Sequence, residues 1–105
     1  MNNTNLKGTI TELKCKLHFL ELGYTVSTPD TPDRYDFILD YEEQLLKIQV
    51  KTSHEIDGKI VFETCSSHIT REGTSKRTYK KEIDYFCTWY NNECYLIPVE
   101  ECRFK

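Results

Sequence analysis

From Leu6 to Leu20 the large aliphatic residues are Leu6, Ile10, Leu13, Leu17 and Leu20, at steps of four and three. At about 100° per residue these positions fall on one stripe, so the pattern predicts an amphipathic helix that lays this stripe on a core. Asn3, Thr4 or Asn5 can cap its start, and Gly23 can take the left-handed conformation that ends it. Glu12 lies about 120° from the stripe's centre, which keeps it out of a helix–sheet seam built on the leucines. Tyr24-Thr25-Val26-Ser27 reads as a short strand, stopped by Pro29 and Pro32 in Thr28-Pro29-Asp30-Thr31-Pro32-Asp33.

Arg34 to Ser53 reads as two strands around the acidic turn Asp40-Tyr41-Glu42-Glu43-Gln44. A turn centred on Glu42-Glu43 sets Phe37 opposite Ile48 and Leu39 opposite Leu46, giving one wholly apolar face to pack on the helix. The same register gathers Asp36, Gln49 and Lys51 on the other face. A three-residue loop would shift the pairing by one and split that group. Asp57-Gly58 has good hairpin chemistry and would link this strand to Lys59-Ile60-Val61-Phe62-Glu63-Thr64, a third long strand of the sheet. Ser66 to Thr78, almost without large apolar residues, reads as an exposed, mobile loop. Ile83–Tyr90 and Cys94–Val99 return to strand composition around Asn91-Asn92-Glu93, with Pro98 pointing to a sheet edge.

A chain of 105 residues fits one domain, residues 1–105. No stretch approaches the roughly 20 apolar residues of a membrane span, and the polar N-terminus is unlike a signal peptide, so the expectation is a cytoplasmic protein with no membrane partner. The five cysteines are odd in number and irregularly spaced, which argues against a disulfide framework. Cys15-x-x-His18 and Cys65-x-x-His68 lack zinc-finger spacing and read as ordinary cysteines. Net charge is −3, yet Ser66–Lys81 holds Arg71, Lys76, Arg77, Lys80 and Lys81 against Glu72 alone. This local basic patch on an acidic body is what phosphate contact requires.

Asp36 followed by Gln49-Val50-Lys51 has the spacing of an acidic metal ligand on one strand and a ligand-x-Lys pair on the next. A carboxylate with further oxygen ligands can hold Mg²⁺, whose charge stabilises a phosphoryl transition state and lowers the pKa of a bound water. Val50 would offer only its backbone carbonyl. Lys51 would orient or help deprotonate the water, or balance charge on the phosphate.

These residues belong to a longer set: Lys7-Gly8-Thr9-Ile10-Thr11-Glu12, Arg34-Tyr35-Asp36-Phe37-Ile38, Ile48-Gln49-Val50-Lys51-Thr52, Glu82-Ile83-Asp84-Tyr85-Phe86 and Tyr95-Leu96-Ile97-Pro98-Val99-Glu100. Over nearly its whole length the chain thereby resembles the PD-(D/E)XK nucleases, in particular the small branch that includes group I intron-encoded homing endonucleases. The resemblance implies an α/β (α+β) restriction-endonuclease-like core, a mixed sheet flanked by an N-terminal helix and a short later helix. It also implies divalent-metal hydrolysis of DNA, with Asp36 as central metal ligand, Lys51 as catalytic lysine and Glu12 as a helix-borne acid near the metal. Gln49 stands where the usual pattern has a second acid, as it does in the intron-encoded branch, and an amide oxygen brings no charge to a cation. Pro32-Asp33 lies too far ahead of Asp36 to match the pattern's leading pair.

The expected activity is a Mg²⁺-dependent DNA endonuclease, with Mn²⁺ as substitute and Asp36, Gln49, Val50 and Glu12 around the ion. Two cuts in a duplex need two sites, so the expected state is a homodimer or dimer of dimers on double-stranded DNA. Arg71, Lys76, Arg77, Lys80 and Lys81 would meet phosphates or base edges, with Thr52 and Ser53 as further backbone contacts. Two rival readings are a Holliday junction resolvase and a DNA-binding module that lost catalysis through Gln49.

Overall fold

A computed structural model describes residues 3–62, 65–70, 73–78 and 82–101, with side chains for 5–62 and 82–101. Helix α1 (Asn3–Glu21) leads into β1 (Thr25–Ser27), β2 (Phe37–Tyr41), β3 (Gln44–Val50), β4 (His54–Ile56) and β5 (Lys59–Val61). These are followed by β6 (Cys65–Thr70), β7 (Gly73–Thr78), β8 (Tyr85–Tyr90), β9 (Glu93–Pro98) and a 3₁₀ turn, Val99–Glu101. The main sheet has the order β1-β2-β3-β8-β9 and is mixed, since β3 and β8 run parallel and the other neighbours antiparallel.

Gly23, at φ 94°, turns the chain out of α1. Backbone N–H groups of Gly23 and Tyr24 donate to Leu20 and Phe19, satisfying the helix's last carbonyls. The β2–β3 register is the one the apolar alternation predicts: Phe37 opposite Ile48 and Leu39 opposite Leu46. Glu42 and Glu43 close this hairpin at φ 47° and 69°, the left-handed pair of a two-residue turn. Asn91-Asn92 and Asp57-Gly58 turn the chain in the same conformation. Pro98 ends β9 at the sheet edge, where its missing N–H costs no ladder bond.

Three expectations need correction. First, the leucine stripe of α1 is not the buried face: Leu6, Ile10, Leu13, Leu17 and Leu20 are 42–58% exposed. The helix meets the sheet through Cys15 and Phe19, which join Phe37, Leu39, Ile48 and Cys87 in the main core. Short Cys15 lets the helix approach β8 closely, and the Phe19 ring packs against Phe37 and Tyr24. Glu12 is one turn from Cys15 and half-buried, so it lies toward the seam and not away from it.

Second, the segment after Asp57-Gly58 is not a third long strand of the main sheet. β4 and β5 form a separate two-stranded hairpin of three-residue strands, and β3's neighbour is β8. Thr52 and Ser53 break the extension of β3, while Phe86 and Cys87 offer an apolar strand that can be buried on both faces. Third, the stretch read as a loop pairs its backbone as β6 and β7, with Ser66 opposite Arg77 and Ser67 opposite Lys76. A ladder satisfies backbone groups without an apolar face, and the threonines of this stretch favour extended backbone.

The sheet's second face carries a smaller core of Ile83, Phe86 and Val99, with Tyr35 and Phe62 packed on it. Gln49 and Lys51 lie on this side, opposite to Ile48 and Val50 by strand alternation.

Candidate active site

Asp36 immediately precedes β2, where pairing with β3 is running out. Its N–H donates to the Ile48 carbonyl at 2.8 Å, and its Oδ2 accepts the Val50 N–H at 2.7 Å. The carboxylate therefore caps the open end of the β2–β3 ladder. On the other side of β3, Lys51 N–H donates to the Cys87 carbonyl at 2.9 Å. Backbone groups alternate sides along a strand, so Val50's carbonyl faces the same edge as its N–H, toward Asp36.

Asp36 also faces the helix. Burial pushes its carboxyl up to about 6 from the usual 3.8, the Val50 N–H opposes this, and the charge and hydrogen bond of Glu12 add to it. Lys16 acts in the opposite sense on Asp36 and pairs with Glu12, Nζ to Oε2 at 2.8 Å. Glu12 and Asp36 thus form a carboxyl pair from two elements, with like charges brought together and their titrations linked. The sequence reading did not single out Lys16. Its i, i+4 relation to Glu12 was the available signal.

Gln49 contributes a buried amide oxygen, Oε1, with no hydrogen-bond partner among the described residues. A buried acceptor without a partner is costly, and one residue before Val50, whose N–H holds Asp36, it is suited to serve as a cation's oxygen ligand. Oxygen donors from Asp36, Glu12, Gln49 and the Val50 carbonyl suit a hard divalent ion such as Mg²⁺ or Mn²⁺. Lys51, half-buried, follows Gln49 at i+2 and so shares its side of the strand.

Around this group, Arg34 Nε meets Glu82 Oε2 at 3.2 Å, and Asp84 Oδ2 accepts the Lys47 N–H at 2.8 Å. These ties hold the chain ahead of Asp36 and the entry to β8 against the middle of the sheet. Ser53 Oγ accepts a hydrogen bond from buried Thr88 at 2.9 Å, which fixes the exit of β3, while Thr52 is exposed. Of the basic residues, Lys76 and Arg77 fall on β7, whereas Arg71, Lys80 and Lys81 lie outside the described residues.

The sequence model of the PD-(D/E)XK endonucleases matches residues 2–105. Among solved structures, the chain is similar to a bacterial homing endonuclease, I-Ssp6803I, with a TM-score of 0.80 and 28% identity. That match covers 94% of this chain and 71% of the other. A search of curated proteins finds no match. The match over nearly every residue, together with the shared fold, leads to one assignment: the chain belongs to the PD-(D/E)XK endonuclease family and is a DNA endonuclease.

Proposed function

We propose that this chain is one subunit of a divalent-metal-dependent endonuclease that cuts double-stranded DNA, most like a homing endonuclease. The observation that supports the metal reading is the buried Gln49 oxygen, without a partner among the described residues, on the strand whose next residue, Val50, donates its N–H to the Asp36 carboxylate. Asp36, Glu12, Gln49 and the Val50 carbonyl would hold Mg²⁺, or Mn²⁺ in its place. A bound ion of this kind supplies positive charge at the scissile phosphate and makes a coordinated water more acidic. With its carboxyl near 6, Asp36 is mostly ionised at neutral pH and available to a cation. Val50's N–H orients that carboxylate, and Lys16 holds Glu12 in an i, i+4 ion pair. Lys51 places an ammonium on the same side as Gln49, where it orients the attacking water or balances charge gathering on the phosphate.

The basic segment with Arg71, Lys76, Arg77, Lys80 and Lys81 would track DNA phosphates, with Thr52 and Ser53 nearer the cut. One such site per chain severs one strand, so the assembly is a homodimer or a pair of dimers, acting in the cytoplasm on duplex DNA. The outward stripe Leu6, Ile10, Leu13, Leu17 and Leu20 supports a second copy as its occupant. Its four-three spacing is that of a helix-pairing seam. Exposed Lys7 and Glu21 flank its two ends, so antiparallel copies set opposite charges together.

Plasmid nicking with Mg²⁺ or Mn²⁺ tests the reading. Asp36→Asn and Lys51→Ala should each lower cleavage at least about a hundredfold while DNA binding persists. Native protein that binds duplex DNA yet never nicks it with either ion would overturn the catalytic reading. Preferential cutting of a four-way junction over linear duplex would replace homing with junction resolution.

A further inference from the structure

Next to the oxygen-rich site, within reach of the Asp36 charge, three cysteines converge from three elements. Cys15 comes from α1, Cys87 from the buried middle of β8 and Cys94 from β9, and their Sγ atoms all lie within 4.8 Å of one another. Cys94 pairs with Trp89 and Cys87 with Leu96, so the two are diagonal neighbours on one face of the β8–β9 ladder, Sγ to Sγ 3.4 Å. The helix then sets Cys15 over them.

We infer that Cys15, Cys87 and Cys94 form a thiolate site for a thiophilic metal ion, Zn²⁺, independent of the Mg²⁺ site. Bonds of about 2.3 Å from a tetrahedral zinc place its sulfur ligands about 3.8 Å apart, a spacing this cluster meets with small side-chain adjustments. Cys15 and Cys87 are fully buried and Cys94 is half-buried, so the ion has an approach from the Cys94 side. The fourth position falls to water, on the half-buried Cys94 side.

Electrostatics supports the geometry. Hydrogen bonds from Cys15 and then Cys87 lower the Cys94 thiol, while the Cys15 and Cys87 thiols are themselves raised, so negative charge in the cluster gathers on Cys94. A bound metal ion would let all three sulfurs ionise together, which packing of cysteines as small apolar groups does not. Each thiol still protonated would release its proton on binding. Hardness separates the two centres: Mg²⁺ prefers the oxygens of Asp36, Glu12 and Gln49, while zinc prefers sulfur. The ion would staple α1 to β8 and β9 one turn beyond Glu12, fixing the helix that carries that acid.

The test uses the full chain with Cys65→Ser and Cys102→Ser, leaving these three thiols, reduced and counted under denaturing conditions. Cobalt should bind at one equivalent with an intense thiolate-to-metal charge-transfer band, zinc should displace it, and zinc should raise the melting temperature. Native mass spectrometry should find one zinc per chain. Cys94→Ser, with Cys94→Ala as a second variant should the first fail to fold, should weaken zinc binding at least about a hundredfold. Asp36→Asn should leave the band intact, because a carboxylate site gives none. Three titratable thiols with no charge-transfer band, or a band unchanged by loss of Cys94, would overturn the inference. So would metal-refractory protein two hydrogens lighter, which would mark Cys87 and Cys94 as a disulfide pair.

Discussion

One long side of α1 meets the sheet through Cys15 and Phe19, with Glu12 beside them, while the opposite side holds five large aliphatics in solvent. The sheet-facing side is the less apolar by composition, yet it does the packing, because its shapes fit: a small thiol against β8 and a single ring against Phe37 and Tyr24. It also delivers an acid to Asp36, which a leucine seam would have excluded. The outward side carries surplus hydrophobicity left uncovered among the described residues, and this is the surface the proposed second copy would cover. On the proposed reading the helix divides its labour: one side would build the site and the other would receive a second subunit.

The sharpest way to break this comparison is to remove the ring on the inner side. Phe19→Ala should cost about 3–5 kcal/mol in denaturant unfolding; a loss below about 1 kcal/mol would show that the inner side is not the packing side. On the outer side, Leu13→Lys with Leu17→Lys should weaken dimerisation on the order of a hundredfold, read by sedimentation equilibrium, while the subunit stays folded. Unchanged mass would clear the stripe of subunit contact.

A subtler effect concerns Glu12. Because the Asp36 carboxyl is raised to about 6 in the folded chain, its contribution to stability is fully present below pH 3.8 and is lost as pH rises through 6. Metal-free protein in chelator should accordingly lose stability across that window. Glu12→Gln should lower the Asp36 pKa and flatten the loss, measurable by carboxyl-carbon NMR titration alongside melting; an unmoved titration would separate the two acids. Smallest of all, Leu13→Ala should change the unfolding free energy of dilute, monomeric chain by no more than about 0.5 kcal/mol.

How much of this was legible in the residues depends on whether the signal was local. The β2–β3 register was, since alternation of Phe37, Leu39, Leu46 and Ile48 permits one pairing that buries them all, and Asp36 and Gln49 followed from it. Gly23, Asn91-Asn92 and Asp57-Gly58 announced their turns by residue type. The inner side of α1 was not legible: periodicity identifies an apolar stripe, and nothing in it says whether a sheet or another subunit covers that stripe. Nor was the place of β8, because a parallel neighbour depends on a crossover spanning more than thirty residues, and hairpin chemistry at Asp57-Gly58 suggested a nearer partner. The cysteine cluster was equally hidden, its three members being joined only by the tertiary fold.

The acidic corner at Glu42-Glu43 leaves room for improvement by engineering. Both residues hold a backbone conformation that costs a residue bearing a side chain roughly 1 kcal/mol or more, a cost that Asn-Gly in the same corner largely avoids. Far along the hairpin from Asp36, that corner is where a heat-hardened form of this enzyme can be sought without disturbing its chemistry.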